Sequence, residues 1–121
     1  MSQIVESNGI RILEIEPAGP PVAAERDAND LIGATFGQDV DWILLPVERL
    51  DPAFFNLRTG LAGAIAQKVV NYRLNLAIVG DITGYVEKSK ALHDFVYEAN
   101  NGAHLWFMPD RAAFFAKLKN K

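Results

Sequence analysis

Cysteine is missing from this chain, and histidine occurs only twice in 121 residues. The first absence excludes disulfides, thiolate nucleophiles and zinc-cysteine sites. Positive charge is also scarce, with 12 Lys and Arg against 15 Asp and Glu and a formal net charge of -3. That balance gives no concentrated basic face of the kind that holds nucleic-acid phosphates. The nearest approach to one, Lys117, Lys119 and Lys121, reads as the cationic end of a last helix. No apolar run reaches the roughly 20 residues needed to span a bilayer. The opening Met1-Ser2-Gln3-Ile4-Val5-Glu6 has neither the basic start nor the long apolar stretch of a secretory signal. The expected setting is therefore the cytoplasm, with no nucleic acid and no membrane as partner.

What is present is the makings of a core. Half of the residues are hydrophobic and 22% are charged, the balance of an ordinary globular domain. Ile4-Val5-Glu6 and the run from Ile10 to Ile15 flank Asn8-Gly9, a dipeptide that readily takes the positive backbone angles of a tight hairpin turn. In the second strand Ile10, Ile12 and Glu14 share one face while Arg11, Leu13 and Ile15 share the other, as suits an internal strand. Pro20 and Pro21 fit the first turn of a helix. Ala24, Ala28, Leu31, Ile32 and Thr35 continue it at helical spacing, and Gly37 closes it.

Trp42-Ile43-Leu44-Leu45 is apolar throughout and bounded by Asp41 and Pro46, which predicts a central strand covered on both faces. Asp51-Pro52 reads as a helix cap followed by proline, opening a short turn through Phe54 and Phe55. From about Thr59, Leu61, Ile65 and Val69 recur four residues apart, and Gly60 and Gly63 fall in the first turn, where small residues permit close backbone approach. Leu76-Ala77-Ile78-Val79 predicts the next buried strand. After a loop through Gly84, Leu92, Phe95, Val96 and Ala99 mark another helix, stopped at Asn100-Asn101-Gly102. A last strand from His104 to Met108 ends at Pro109, and Asp110 caps a final helix with Phe114, Phe115 and Leu118. The order β-β-α-β-α-β-α-β-α describes one α/β domain over residues 1–121: a mixed, mostly parallel sheet of about five strands with about four helices.

Several strings carry a resemblance. Phe54-Phe55-Asn56-Leu57-Arg58-Thr59-Gly60-Leu61-Ala62-Gly63, with Gln67-Lys68, Asn71-Tyr72-Arg73, Leu76-Ala77-Ile78-Val79-Gly80-Asp81 and Phe95-Val96-Tyr97-Glu98, resembles the bacterial family called domain of unknown function 4180. That family brings no established activity. The sequence of strand, loop, helix opening on Gly-Leu-Ala-Gly and second apolar strand is also similar to the STAS domains of anti-sigma-factor antagonists and sulfate-transporter tails. In those domains an Asp-Ser pair before the helix serves a phosphorylation switch for partner binding. Here the matching stretch is Leu57-Arg58-Thr59-Gly60: the acidic residue is missing, and Thr59 takes the serine's place only if the alignment shifts by one residue.

Candidate chemistry gathers beyond the carboxyl ends of the parallel strands, where loops and helix N-termini converge. Arg58, Thr59 and Gly60 combine a guanidinium, a hydroxyl and a helix start, a set that suits a phosphate or carboxylate. The structural alternative makes Thr59 a helix cap and pairs Arg58 with Asp81 or Glu48. Asp81 and Thr83 follow a buried strand, where a carboxylate serves either acid-base chemistry or the capping of a turn. His93 and His104 lie on different elements, and His93 neighbours Asp94 only in sequence. Gly80-Asp81-Ile82-Thr83-Gly84 matches neither the dinucleotide nor the P-loop pattern. No catalytic set, metal-ligand set or cofactor is indicated. The first expectation is a non-catalytic, STAS-like regulatory or protein-interaction module working through the Arg58 region and the Asp81 loop. The alternative is an anionic small-molecule binding protein or enzyme at the same edge, and a third is a homodimer joined through the last strand and helix.

Overall fold

The computed structural model describes residues 2–120. Strands β1 (Gln3–Ser7) and β2 (Ile10–Glu14) form the N-terminal hairpin, with Val5 opposite Ile12 and Ser7 opposite Ile10. Asn8 at φ 52° and Gly9 at φ 81° make the turn, the positive-angle pair for which Asn-Gly is suited. Three parallel strands follow: β3 (Trp42–Pro46), β4 (Asn75–Val79) and β5 (Leu105–Met108). The sheet runs β1-β2-β3-β4-β5, with only β1 antiparallel.

Sequential order has a geometric consequence. Right-handed crossovers that always step in the same direction put every linking helix on one face of the sheet. Helices α1 (Ala28–Gly33), α2 (Leu61–Asn71) and α4 (Lys90–Asn101) accordingly pack with Leu13, Ile43, Leu45, Leu76, Ile78 and Phe107 in one large core. The other face shows Ile12, Trp42, Leu44, Ala77 and Trp106, and α5 (Arg111–Lys119) covers it with Phe114 and Leu118. Strands buried on both sides are the reason β3 to β5 lack polar alternation.

Boundaries moved in several places. Pro20 and Pro21 precede the first helix rather than opening it: Val22 bridges Leu50 in an extended segment, which the fixed proline φ also suits. A single 3-10 turn, Glu25–Asp27, begins after the Asp27 carboxylate accepts from the amides of Ala23 and Ala24, both at 2.9 Å. The helix ends at Gly33, and Gly37 (φ 76°) lies in the turn beyond it. Gly60 caps α2 at φ 74° rather than lying inside it, and no neighbouring backbone approaches Gly60 or Gly63. His104 falls just before β5. The stretch around Gly84, expected as loop, forms the short helix α3 (Thr83–Glu87), which brings the α-helices among the described residues to five.

Candidate functional site

Chain exit from β4 sets the geometry of the expected edge. Gly80 turns at φ 143°, and a Cβ there would collide with the Val47 side chain, so the residue must be glycine. Its amide donates to Met108 O at 3.0 Å, tying the turn to β5. Asp81 follows, and its Oδ1 accepts from the Thr83 amide at 2.9 Å. The Thr83 hydroxyl and amide hold the Asp81 carboxyl below the usual carboxylate range. Of the two readings of Asp81, turn capping is therefore present in the geometry, and it opens α3.

Helix α3 separates two clefts. On one side Tyr85 and Lys88 meet the 3-10 turns Pro52–Phe55 and Leu57–Thr59 and the start of α4, enclosing about 580 Å³. On the other side Asp81, Thr83 and Val86 meet Val96, Phe107 and Met108 around about 300 Å³. The five residues singled out from sequence thus do not converge. Arg58 lines the first cleft, Asp81 and Thr83 line the second, and Thr59 and Gly60 line neither.

Thr59 serves the backbone. Its hydroxyl lies 2.9 Å from both Ala53 O and Asn56 O and accepts from the Leu61 amide at 3.2 Å. It fastens the 3-10 turns to the start of α2, where Gly60 supplies the left-handed cap. Arg58 is different. Its amide donates to Asn56 Oδ1 at 3.1 Å, but among the described residues its guanidinium pairs with no carboxylate, neither Asp81 nor Glu48.

The first cleft has a consistent chemistry. Arg58 and Lys88 both line it, no acidic residue does, and neither cation has an ion-pair partner among the described residues. In a chain of net charge -3, two cations on the walls of one cleft without a carboxylate beside them in the lining favour an anion there. Asn56 and Ser89 add polar atoms, although Ser89 Oγ already accepts from the Leu92 amide at 3.1 Å as the cap of α4. Tyr85 stacks on Phe55 at 4.3 Å and 13° between planes, which makes a rigid aromatic wall. Sequence reasoning did not single out Tyr85, Lys88 or Ser89. The available signal was Ser89 as an N-cap ahead of Leu92, with basic neighbours on both sides.

Other candidates resolve into structure. Arg49, just beyond β3 and outside both clefts, donates to Pro20 O and Glu16 O, both at 3.0 Å, and so holds the loop after β2. His93 is exposed and lies 3.3 Å from Asp94, a contact in space as well as in sequence. The contacts of His93 and then of Lys90 hold Asp94 below the usual carboxylate range. His104 is exposed and meets Asn75 Oδ1 at 2.8 Å. Among the described residues no three His, Cys, Asp or Glu side chains are grouped to hold a metal ion, and no helix is long and apolar enough to cross a membrane. Trp106 is 2% exposed and Phe115 is partly buried against the second core. Exposed rings occur elsewhere: Tyr97 (63% exposed) stands on α4, and Phe36 (62%) and Tyr72 (52%) lie 6.0 Å apart at the amino end of the parallel strands.

These features define a single α/β domain with a sequentially ordered, largely parallel sheet and two clefts around the helix that follows its fourth strand. The model of a family described as a domain of unknown function, DUF4180, matches residues 7–118, and the chain belongs to that family. No curated protein and no solved structure matches it.

Proposed function

We propose that this protein is a non-catalytic binding module whose ligand is an anionic small molecule, held in the cleft between the 3-10 turns and α3. One observation carries the reading: Arg58 and Lys88 line the same cleft, which has no acidic residue in its walls. Arg58 acts as the directional donor, since its planar guanidinium matches phosphate or carboxylate oxygens two at a time, and Lys88 adds a point charge. Tyr85 and Phe55 supply the apolar wall that gives such a site its shape. Thr59 and Gly60 support the cleft by fixing the turn that carries Arg58, so a phosphorylation switch at Thr59 would break the bonds that build the site.

The test is a thermal-shift screen of phosphate monoesters and small carboxylates, repeated on Arg58→Ala and Lys88→Ala. The expected result is stabilisation of the parent by a subset of anions, lost in both variants while their unliganded melting temperatures stay unchanged. A parent protein that no anion stabilises would overturn the reading.

A second reading, a STAS-like regulatory module that binds another protein, draws support from the exposed Phe36 and Tyr72 pair. Aromatic rings at the surface are the residue type enriched in protein interfaces. That surface lies at the opposite end of the sheet from Arg58. Phe36→Ser with Tyr72→Ser should abolish co-purification of a partner, whereas Arg58→Ala should not. The reverse pattern would remove this surface from consideration.

A further inference from the structure

The cleft on the far flank of α3 has chemistry opposite to that of the Arg58 cleft, and it rests on different residues. We infer that it is a binding site for a small hydrophobic amine, with the Asp81 carboxylate as counter-ion to the ligand's ammonium group. Its walls are apolar: Ile82 and Val86 from the start and body of the α3 segment, Val96 from α4, and Phe107, Met108 and Pro109 from the end of β5. Asp81 is the one charged residue lining it among the described residues. The volume of about 300 Å³ lies at the lower end for small-molecule sites, roughly 300–1,000 Å³. It opens beyond the carboxyl ends of β4 and β5, where ligands of open parallel sheets usually sit.

The ligand class follows from what the walls can offer. A metal ion is excluded as the natural occupant because hard cations require several oxygen ligands, and one carboxylate among apolar side chains supplies too few. A neutral hydrophobic ligand would use the apolar walls but leave the Asp81 carboxylate at their edge without a partner. A carboxylate or phosphate would add repulsion. An ammonium group restores a charge-assisted hydrogen bond while its alkyl or aryl body replaces water along Val86, Val96 and Phe107. The carboxylate is also pre-positioned, since the Thr83 amide donates to one of its oxygens at 2.9 Å and the preceding turn is tied to β5 by the bond from the Gly80 amide to Met108 O. Little ordering remains to be done on binding.

The experiment titrates isotopically labelled protein with hexylammonium, 1-hexanol and hexanoate at pH 7 and follows backbone amide and methionine methyl signals by NMR. Saturable shifts centred on Ile82, Val86, Phe107 and Met108 with hexylammonium are expected, and binding of 1-hexanol about threefold weaker, the factor that a solvent-exposed charged contact supplies. Asp81→Asn keeps an oxygen for the Thr83 amide and should bring hexylammonium down to the affinity of 1-hexanol. Val86→Phe, which fills the cleft and leaves Asp81 in place, should abolish saturation by either compound. The absence of saturable shifts with hexylammonium would overturn the inference. So would equal affinity for the amine and the alcohol in the parent protein, or shifts centred on Arg58 and Lys88 in place of Asp81.

Discussion

The face of the sheet beneath α5 and the rim around α3 are built from the same strands, yet they use side chains for opposite purposes. Under α5, the Trp42 ring lies tilted against Trp106 at 4.3 Å and meets Phe114 edge-on at 5.3 Å, and all three rings are almost wholly buried. Around α3, Arg58, Lys88, Asp81 and Thr83 are exposed. Burial makes identity matter for stability in the first region, because lost apolar area and an unfilled cavity add together. In the second region solvent screens each charge, so its removal leaves the folding equilibrium almost untouched. A residue whose identity does little for the fold is free to serve a ligand, and the difference between these two regions separates scaffold from candidate site.

Substitutions can break that contrast, and they rank by expected effect. Phe114→Ala should cost about 3–5 kcal/mol, measured by urea unfolding, because it empties the centre of the α5 face; a loss below 1 kcal/mol would mean that this face is not a packed core. Gly80→Ala should cost about 2 kcal/mol or more through a strained backbone angle and collision with Val47, and it is the one rim residue expected to behave like the core. Gly63→Ala should stabilise by about 0.5 kcal/mol, since the glycine is exposed in the first turn of α2 with open space around it; a thermal melt that falls would show an unrecognised requirement for glycine there. The smallest effect belongs to Asp81. Its folded-state ionisation lies below the ordinary value near 3.9, so its contribution is present above about pH 4 and is lost as pH falls through the lowered folded value. The stability difference between the parent and Asp81→Asn should therefore shrink from pH 6 to pH 3 in denaturant titrations, and a difference that grows in acid would reverse the assigned sign.

Legibility followed the kind of interaction involved. The hairpin at Asn8-Gly9, the apolar strands and the caps Asp51 and Asp110 could be read from sequence because each depends on neighbours in the chain: Asp51 accepts from Ala53 and Asp110 from Ala113. Helix α3 escaped because Thr83-Gly84-Tyr85-Val86-Glu87 is too short to show a helical period and contains a glycine. The first helix begins later than its apolar spacing suggests because the extended segment of Pro20 to Val22 is held by a bridge to Leu50, a partner remote in sequence. The expected union of Arg58 with Asp81 failed for a related reason. Both sit at the correct edge of the sheet, but α3, which the sequence reading lacked, stands between the clefts they line.

By itself the sequence determined the α/β class, a largely parallel sheet after an initial hairpin, and the residues that fill its two cores. These depend on composition, periodicity and local turn chemistry, which act over a few residues. Tertiary structure alone decided that the strands lie in sequential order, that the linking helices share one face, and that α5 closes the other. It alone brought Lys88 to the cleft of Arg58, some thirty positions away in the chain, and left Asp81 facing an apolar cleft of its own. The physical reason is range: capping and amphipathic spacing are written along the chain, whereas which charges share a cleft depends on how the packed elements bring distant segments together.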